Sequence, residues 1–405
     1  MVIRPVIDVH GKTTRRFAAV KDELARSFRN GSEQGCSLAV WHDGELVVDL
    51  WGGARDPERG LPFEADTLCT MFSTTKGMVA LCFLMLADRG KLDYDAKVAE
   101  HWPAFGSPDK REITIRMLLN HRSGLVGLDE PLTIDQLEHR PDQVIAILER
   151  QRPAWEPGTS QGYHGVTYGL YAAELFQRIA GESLGTFFAR EVSKPLGADV
   201  YIGLPEALEA RCATIVPVKT RDRLVRALPA LLLGETNESR VMIDELRGGD
   251  SRRAFAQPAE LGADGVSNFA TRRVRALELL WANGMGTARG LCRVYSALAN
   301  GGAIDGERLV RAESLAPVMA RQSCSERDRV LHKPLGWSQG FLKEEPHVFS
   351  PSLESFGHAG AGGALGWCDP KRRVAIGYLT VNMAHQVRSP RALGLCRAVY
   401  SSLGA

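Results

Sequence analysis

Apolar residues recur every three or four positions at Phe17, Val20, Leu24 and Phe28 and stop at Gly31, so the pattern predicts a helix over 13–30 capped by Thr13. The period then changes. Segments 36–41 and 45–50 are strand-like and flank Asp43-Gly44, a pair suited to the tight turn of a β-hairpin. After a Gly/Pro-rich stretch, 73–89 is the most apolar helical segment of the chain, closed by Gly90. Helical spacing continues over 114–120, 141–151, 168–180, 183–192 and 287–300. Runs rich in β-branched and aromatic residues return near 336–342, 364–368 and 374–381, and a last helix is expected over 390–403. Segment 215–270 fits neither period: an apolar patch at 231–234 precedes a polar, charged stretch, and we read it as an irregular excursion forming a lid.

The order helix, strands, helices, strands, helix implies an α/β (α+β) fold. An antiparallel sheet, flanked by N- and C-terminal helices, is expected from the two ends of the chain, 1–70 and 300–405, with a helical lobe, 71–299, inserted between them. A cleft between such lobes is a natural place for a site.

Composition narrows the picture by exclusion. Hydrophobic residues make up 44% and charged residues 24%, an ordinary globular balance. Fifty Lys and Arg face 48 Asp and Glu, and no basic run concentrates the difference, so a nucleic-acid partner is not expected. The longest apolar run, Val79 to Ala87, is too short to span a bilayer, and the opening residues lack the pattern of an export signal. A cytoplasmic protein with no membrane partner is the expectation. Eight cysteines stand singly, without C-x-x-C or a Cys/His cluster, so neither disulfide, metal nor cofactor is expected. Nothing in the pattern fixes an oligomeric state.

Serine chemistry has several candidates. G-x-S-x-G occurs around Ser160, Ser183 and Ser338, but none has the entering strand and leaving helix that expose a nucleophile at such a turn. S-x-x-K occurs twice. Ser107 to Lys110 lies in a polar loop and reads as surface. Ser73-Thr74-Thr75-Lys76 opens the apolar helix, where backbone N–H groups and the helix dipole favour developing negative charge and Lys76 emerges on the same face as Ser73. A lysine short of water has a lowered pKa and can take a proton from a hydroxyl. On its own, the tetrad is also what a capping serine beside a solvated lysine would give.

The company it keeps decides. Trp155-Glu156-Pro157-Gly158 leads to Tyr163-His164-Gly165-Val166-Thr167-Tyr168-Gly169, and Phe356-Gly357-His358-Ala359-Gly360-Ala361-Gly362-Gly363 stands near the end between strand-like runs. A serine–lysine tetrad heading a helix, a tyrosine motif and a late H-x-G, in that order, resemble the serine β-lactamase and penicillin-binding protein superfamily, specifically its ester-cleaving branch, the family VIII carboxylesterases. The likeness runs from the Asp43-Gly44 hairpin through Leu118 to Leu125 to Val374-Ala375-Ile376-Gly377.

The resemblance implies a β-lactamase-like fold and roles for particular residues. Ser73 would be the nucleophile, Lys76 and Tyr163 the pair that takes and returns its proton, and the N–H groups of Ser73 and Ala361 the oxyanion hole. Substrate contacts would fall to His358, Gly360, His164 and Trp367, whereas His121 and Arg122 are expected to shape a turn. A phenolate beside an ammonium would let Lys76 and Tyr163 share one proton near neutral pH. Two departures bear on the substrate: His358 stands where lactamases carry a lysine, and Gly165 where they carry an asparagine. Both weaken binding of anionic drugs. A small uncharged ester, cleaved through an acyl-enzyme with at most weak β-lactam turnover, is the implied substrate. An acyltransferase on the same scaffold, or a silent penicillin-recognising binding protein, are the alternatives.

Overall fold

In the computed structural model, which describes residues 7–218, 236–262, 264–344, 347–384, 386 and 388–404, the core is a ten-stranded antiparallel sheet. Its main strands are β1 (Val9–Thr13), β2 (Gly35–His42), β3 (Glu45–Asp56), β4 (Ser323–Ser325), β5 (Leu335–Ser338), β6 (Phe341–Glu344), β7 (Phe356–Ala359), β8 (Leu365–Asp369) and β9 (Val374–Thr380). They are ordered β1-β3-β2-β9-β8-β7-β6-β5-β4, and Leu61–Pro62 pairs on β3. The join between the chain's two ends is the β2–β9 ladder, from His42 opposite Val374 to Cys36 opposite Thr380.

Side-chain alternation along β2 sorts the two faces of the sheet. Cys36, Leu38 and Val40 pack with Val20, Leu24 and Phe28 of α1 (Ala18–Arg29) and with Leu395 and Val399. Ala39 and Trp41 face the larger cluster around α2 (Thr75–Asp88). The predicted helices 73–89, 168–180, 287–300 and 390–403 are observed as α2, α3 (Thr167–Ala180), α4 (Ala288–Ala299) and α5 (Pro390–Ser402). Helix α2 is buried all round from Thr75 to Leu86, which explains why its sequence shows no polar face.

Three sequence expectations need correcting. The first helix is shorter than 13–30, because Thr13 closes β1 and a 3-10 turn at Arg15–Phe17 precedes α1. Segment 336–342 is a hairpin, β5 and β6, turning at Gln339-Gly340. Helix α4, placed by sequence in the inserted lobe, lies on the sheet: a Cβ on Gly377 of β9 would meet the Ala288 carbonyl oxygen at 2.3 Å. Of the lid segment 215–270, residues 219–235 and 263 lie outside the described ones. The rest carries two short helices, Asn237–Leu246 and Asp250–Arg253. Among the described residues no helix is long and apolar enough to cross a membrane, and no group of His, Cys, Asp and Glu could hold a metal. All eight cysteines are unpaired.

Candidate active site

Ser73 lies on a 3-10 turn, Phe72–Thr74, that runs directly into α2. Phe72 has φ 46°, a left-handed conformation costly for a residue with a Cβ, and the strained bend before Ser73 delivers its hydroxyl to the cleft. The H-x-G end of β7 passes close by. A Cβ on Gly360 would fall 2.5 Å from the Met71 carbonyl oxygen, so only glycine lets the two backbones approach this way.

Lys76, three residues after Ser73 and in the first turn of α2, has no solvent exposure. Its Nζ stands 3.3 Å from Ser73 Oγ, 2.8 Å from the Gly165 carbonyl oxygen and 2.9 Å from the Trp281 carbonyl oxygen. Burial holds its pKa well below the ordinary lysine value. A neutral amine suits this surrounding: two N–H groups for two carbonyls, and one lone pair facing the serine hydroxyl. Tyr163 is buried, its ring centroid 4.9 Å from Nζ. Burial raises its phenol pKa, and a hydrogen bond to Ser73 works against that rise. Both shifts favour the neutral forms, an amine beside a phenol, over the phenolate–ammonium pair expected from the sequence.

What holds Tyr163 is a residue the sequence did not single out. The Oδ1 atom of buried Asp328 accepts the backbone N–H of Tyr163 at 3.1 Å and those of Val330 and Leu331 at 3.0 Å each. Trp337 of β5 stacks on the Tyr163 ring at 5.8 Å between centroids. Trp337 stands only in the discarded G-x-S-x-G around Ser338, and no local pattern distinguishes Asp328 from the charged residues beside it.

Ala361 is the first residue of a 3-10 turn, where the backbone N–H has no acceptor within the turn, and it borders the same cleft as Ser73. Arg391 holds the turn from behind, donating to the carbonyl oxygens of Gly362 and, at 3.0 Å, Asn382. Gly360 and His358 also line the cleft. His358 is buried and neutral: its pKa falls to about 3, through burial first and then the nearby Lys76.

Two proposed substrate contacts lie elsewhere. Trp367 faces the α1/α5 side of the sheet, its ring 5.1 Å from Phe349, and borders neither cavity at Ser73. His164 is turned into the protein. Its backbone N–H donates to His121 Nδ1 at 3.0 Å, which makes that nitrogen an acceptor, so the His164 Nδ1 at 3.0 Å carries the proton and His164 Nε2 accepts from Ser123. The pair fixes the loop that presents Tyr163. Arg122 does similar work by donating to the Gly158 carbonyl.

Gly165 has a steric reason. A Cβ there would meet Phe255 Cε1 at 2.4 Å and the Ala254 carbonyl oxygen at 2.6 Å, so the end of the Asp250–Arg253 helix occupies the space a longer side chain would need. The other S-x-x-K also departs from expectation. Lys110 is buried, its ammonium donating to the carbonyls of Leu148 and Glu149.

The sheet, the inserted helical region and a serine–lysine–tyrosine cluster at their junction define a serine β-lactamase-like fold. A beta-lactamase family model matches residues 22–393, and the chain belongs to that family. It is 34% identical over 373 residues to Esterase/beta-lactamase LipL of Mycobacterium tuberculosis, covering 91% of this chain and 82% of that one. It is 30% identical over 200 residues to Esterase EstB of Burkholderia gladioli, covering 45% of this chain and 49% of that one. Among solved structures it resembles a family VIII carboxylesterase, with TM-score 0.85, 36% identity and coverage of 98% and 100%. A penicillin-binding protein homologue from Caulobacter crescentus is similar at TM-score 0.85 and 34% identity, with coverage of 98% and 100%.

Proposed function

We propose that this protein is a serine carboxylesterase that hydrolyses small uncharged esters through an acyl-enzyme on Ser73. The observation that carries the reading is the desolvated Lys76 amine, held by two carbonyls with its remaining valence toward Ser73 Oγ. Lys76 takes the serine proton as Oγ attacks, and the N–H groups of Ser73 and Ala361 receive the oxyanion. The Tyr163 phenol gives its proton to the departing alcohol and is reprotonated from Lys76. Water then attacks the acyl-enzyme by the same route in reverse. Relatives named as esterases support ester cleavage. The neutral His358 and the space closed at Gly165 argue for slight β-lactam turnover.

Brief exposure to 4-nitrophenyl butanoate should add one butanoyl group to the intact protein, on the peptide containing Ser73. Ser73→Ala should abolish turnover and leave the urea midpoint in place. A Ser73→Ala protein that cleaves the ester at the wild-type rate refutes the assignment, and unmodified wild-type protein would point instead to a silent binding protein. Adding alcohols and analysing products separates hydrolysis from acyl transfer.

A further inference from the structure

Two cavities meet at Ser73. One, about 220 Å³, runs past Tyr163 toward Lys333 and Glu344. The other, about 270 Å³, lies between Phe72, Glu245, Phe269 and Trp281. An ester held at Ser73 has two arms, acyl and alcohol, and two spaces to receive them. Among the described residues four border both cavities: Ser73, Phe255, Ala361 and Ala384. Ser73 carries the hydroxyl, and an alanine side chain is a single methyl group. The width of the junction is therefore set by Phe255, the one large side chain of the four.

The backbone carrying Phe255 is fixed from three sides. The Ala254 carbonyl accepts the Val166 N–H at 3.2 Å, Ser251 Oγ donates to the Val330 carbonyl at 2.7 Å, and Arg253 pairs with Asp129 at 2.7 Å. The ring lies on the bare backbone of Gly165, where a Cβ would fall 2.4 Å from Phe255 Cε1, and its centroid stands 6.2 Å from that of Tyr163. Yet Phe255 is 39% exposed. A ring left this open gains less from burial than a core phenylalanine, and its effect is on the space it takes from the cleft. Whichever arm enters which cavity, the carbons bonded to the ester group lie at this junction. A straight chain presents only hydrogens there and passes beside the ring, whereas a carbon bearing extra methyl groups meets it. The fixed backbone cannot retreat, so the branched ester seats its carbonyl poorly at Ser73.

We propose, resting on the ester-hydrolase reading, that Phe255 is a specificity-determining residue: its ring narrows the junction at Ser73 and selects esters that are unbranched next to the ester group. The test measures kcat/KM for 4-nitrophenyl butanoate and 4-nitrophenyl 2,2-dimethylbutanoate on the wild type, Phe255→Leu and Phe255→Ala. The two esters share a leaving group, kcat/KM reports acylation alone, and their own reactivity cancels when ratios are compared between proteins. The ratio of branched to straight ester should rise at least about tenfold in Phe255→Ala, the scale of a methyl group fitted or refused by a pocket, with Phe255→Leu between. If Phe255→Ala does not fold, the rise in Phe255→Leu decides. An unchanged ratio, even with both rates reduced, overturns the proposal, because the ring would then support the site without choosing the substrate. Butanoylated Ser73 in that case still upholds the ester-hydrolase reading. Cleavage of neither ester by the wild type, with Ser73 unmodified, overturns both.

Discussion

Lys76 sits in a balance set by its surroundings. Two carbonyls accept its N–H groups, and burial lowers its pKa well below the ordinary lysine value. Lys76→Met should therefore reduce kcat/KM by about a thousandfold, the range of a lost general base. In the wild type, kcat/KM should rise with pH through one ionisation, since protonating the amine removes the base. His164 and His358, with pKa values near about 3, stay neutral over that range and add no second step. A pH profile with no acid limb would overturn the role of Lys76. The cluster of Ser73, Lys76 and Tyr163 was legible in the sequence because motif spacing along a single helix or loop picks these residues out. Trp337, Phe255 and Lys333 were not, since each reaches the cleft from a segment remote in sequence and meets it only through tertiary packing.

Elements were read best where periodicity ran long: the hairpin β2–β3 and helices α2 to α5 follow from local pattern, whereas two-residue strands such as Cys69–Thr70 and Met285–Gly286 leave no periodic trace. The loop between β4 and β5 shows what such patterns omit. One carboxylate oxygen of Asp328 gathers three backbone N–H groups and so ties this loop to the one bearing Tyr163. Asp328→Ala should cost about 3 kcal/mol in urea unfolding, because buried donors lose their acceptor. Asp328→Asn keeps an oxygen at that position and should retain most of the stability and activity. If both variants match the wild type in kcat and urea midpoint, Asp328 does not position Tyr163.

At the scale of the whole molecule, one buried cluster joins both chain ends to the site. Glu33 accepts from Tyr378, from Thr380 Oγ1 at 2.7 Å and from Arg391 Nη1 at 3.2 Å, while Arg391 reaches on to Gly362, next to Ala361. Arg391→Met strands a buried carboxylate and should cost about 3–5 kcal/mol in thermal or urea melts. Adding Glu33→Gln should restore much of that stability without restoring kcat, because the support behind Gly362 stays missing. A single variant as stable as the wild type would count against this reading. The two-ended sheet itself was legible from the order of elements; the cluster was not, since its members are scattered among unremarkable polar residues. The same two-ended sheet governs the order of events during synthesis. The β2 edge stays open until β9 has left the ribosome, so a long stretch of translation passes with an apolar hairpin lacking its neighbour. The open edge persists until residues 374–380 are made, so a holding chaperone should raise the soluble yield.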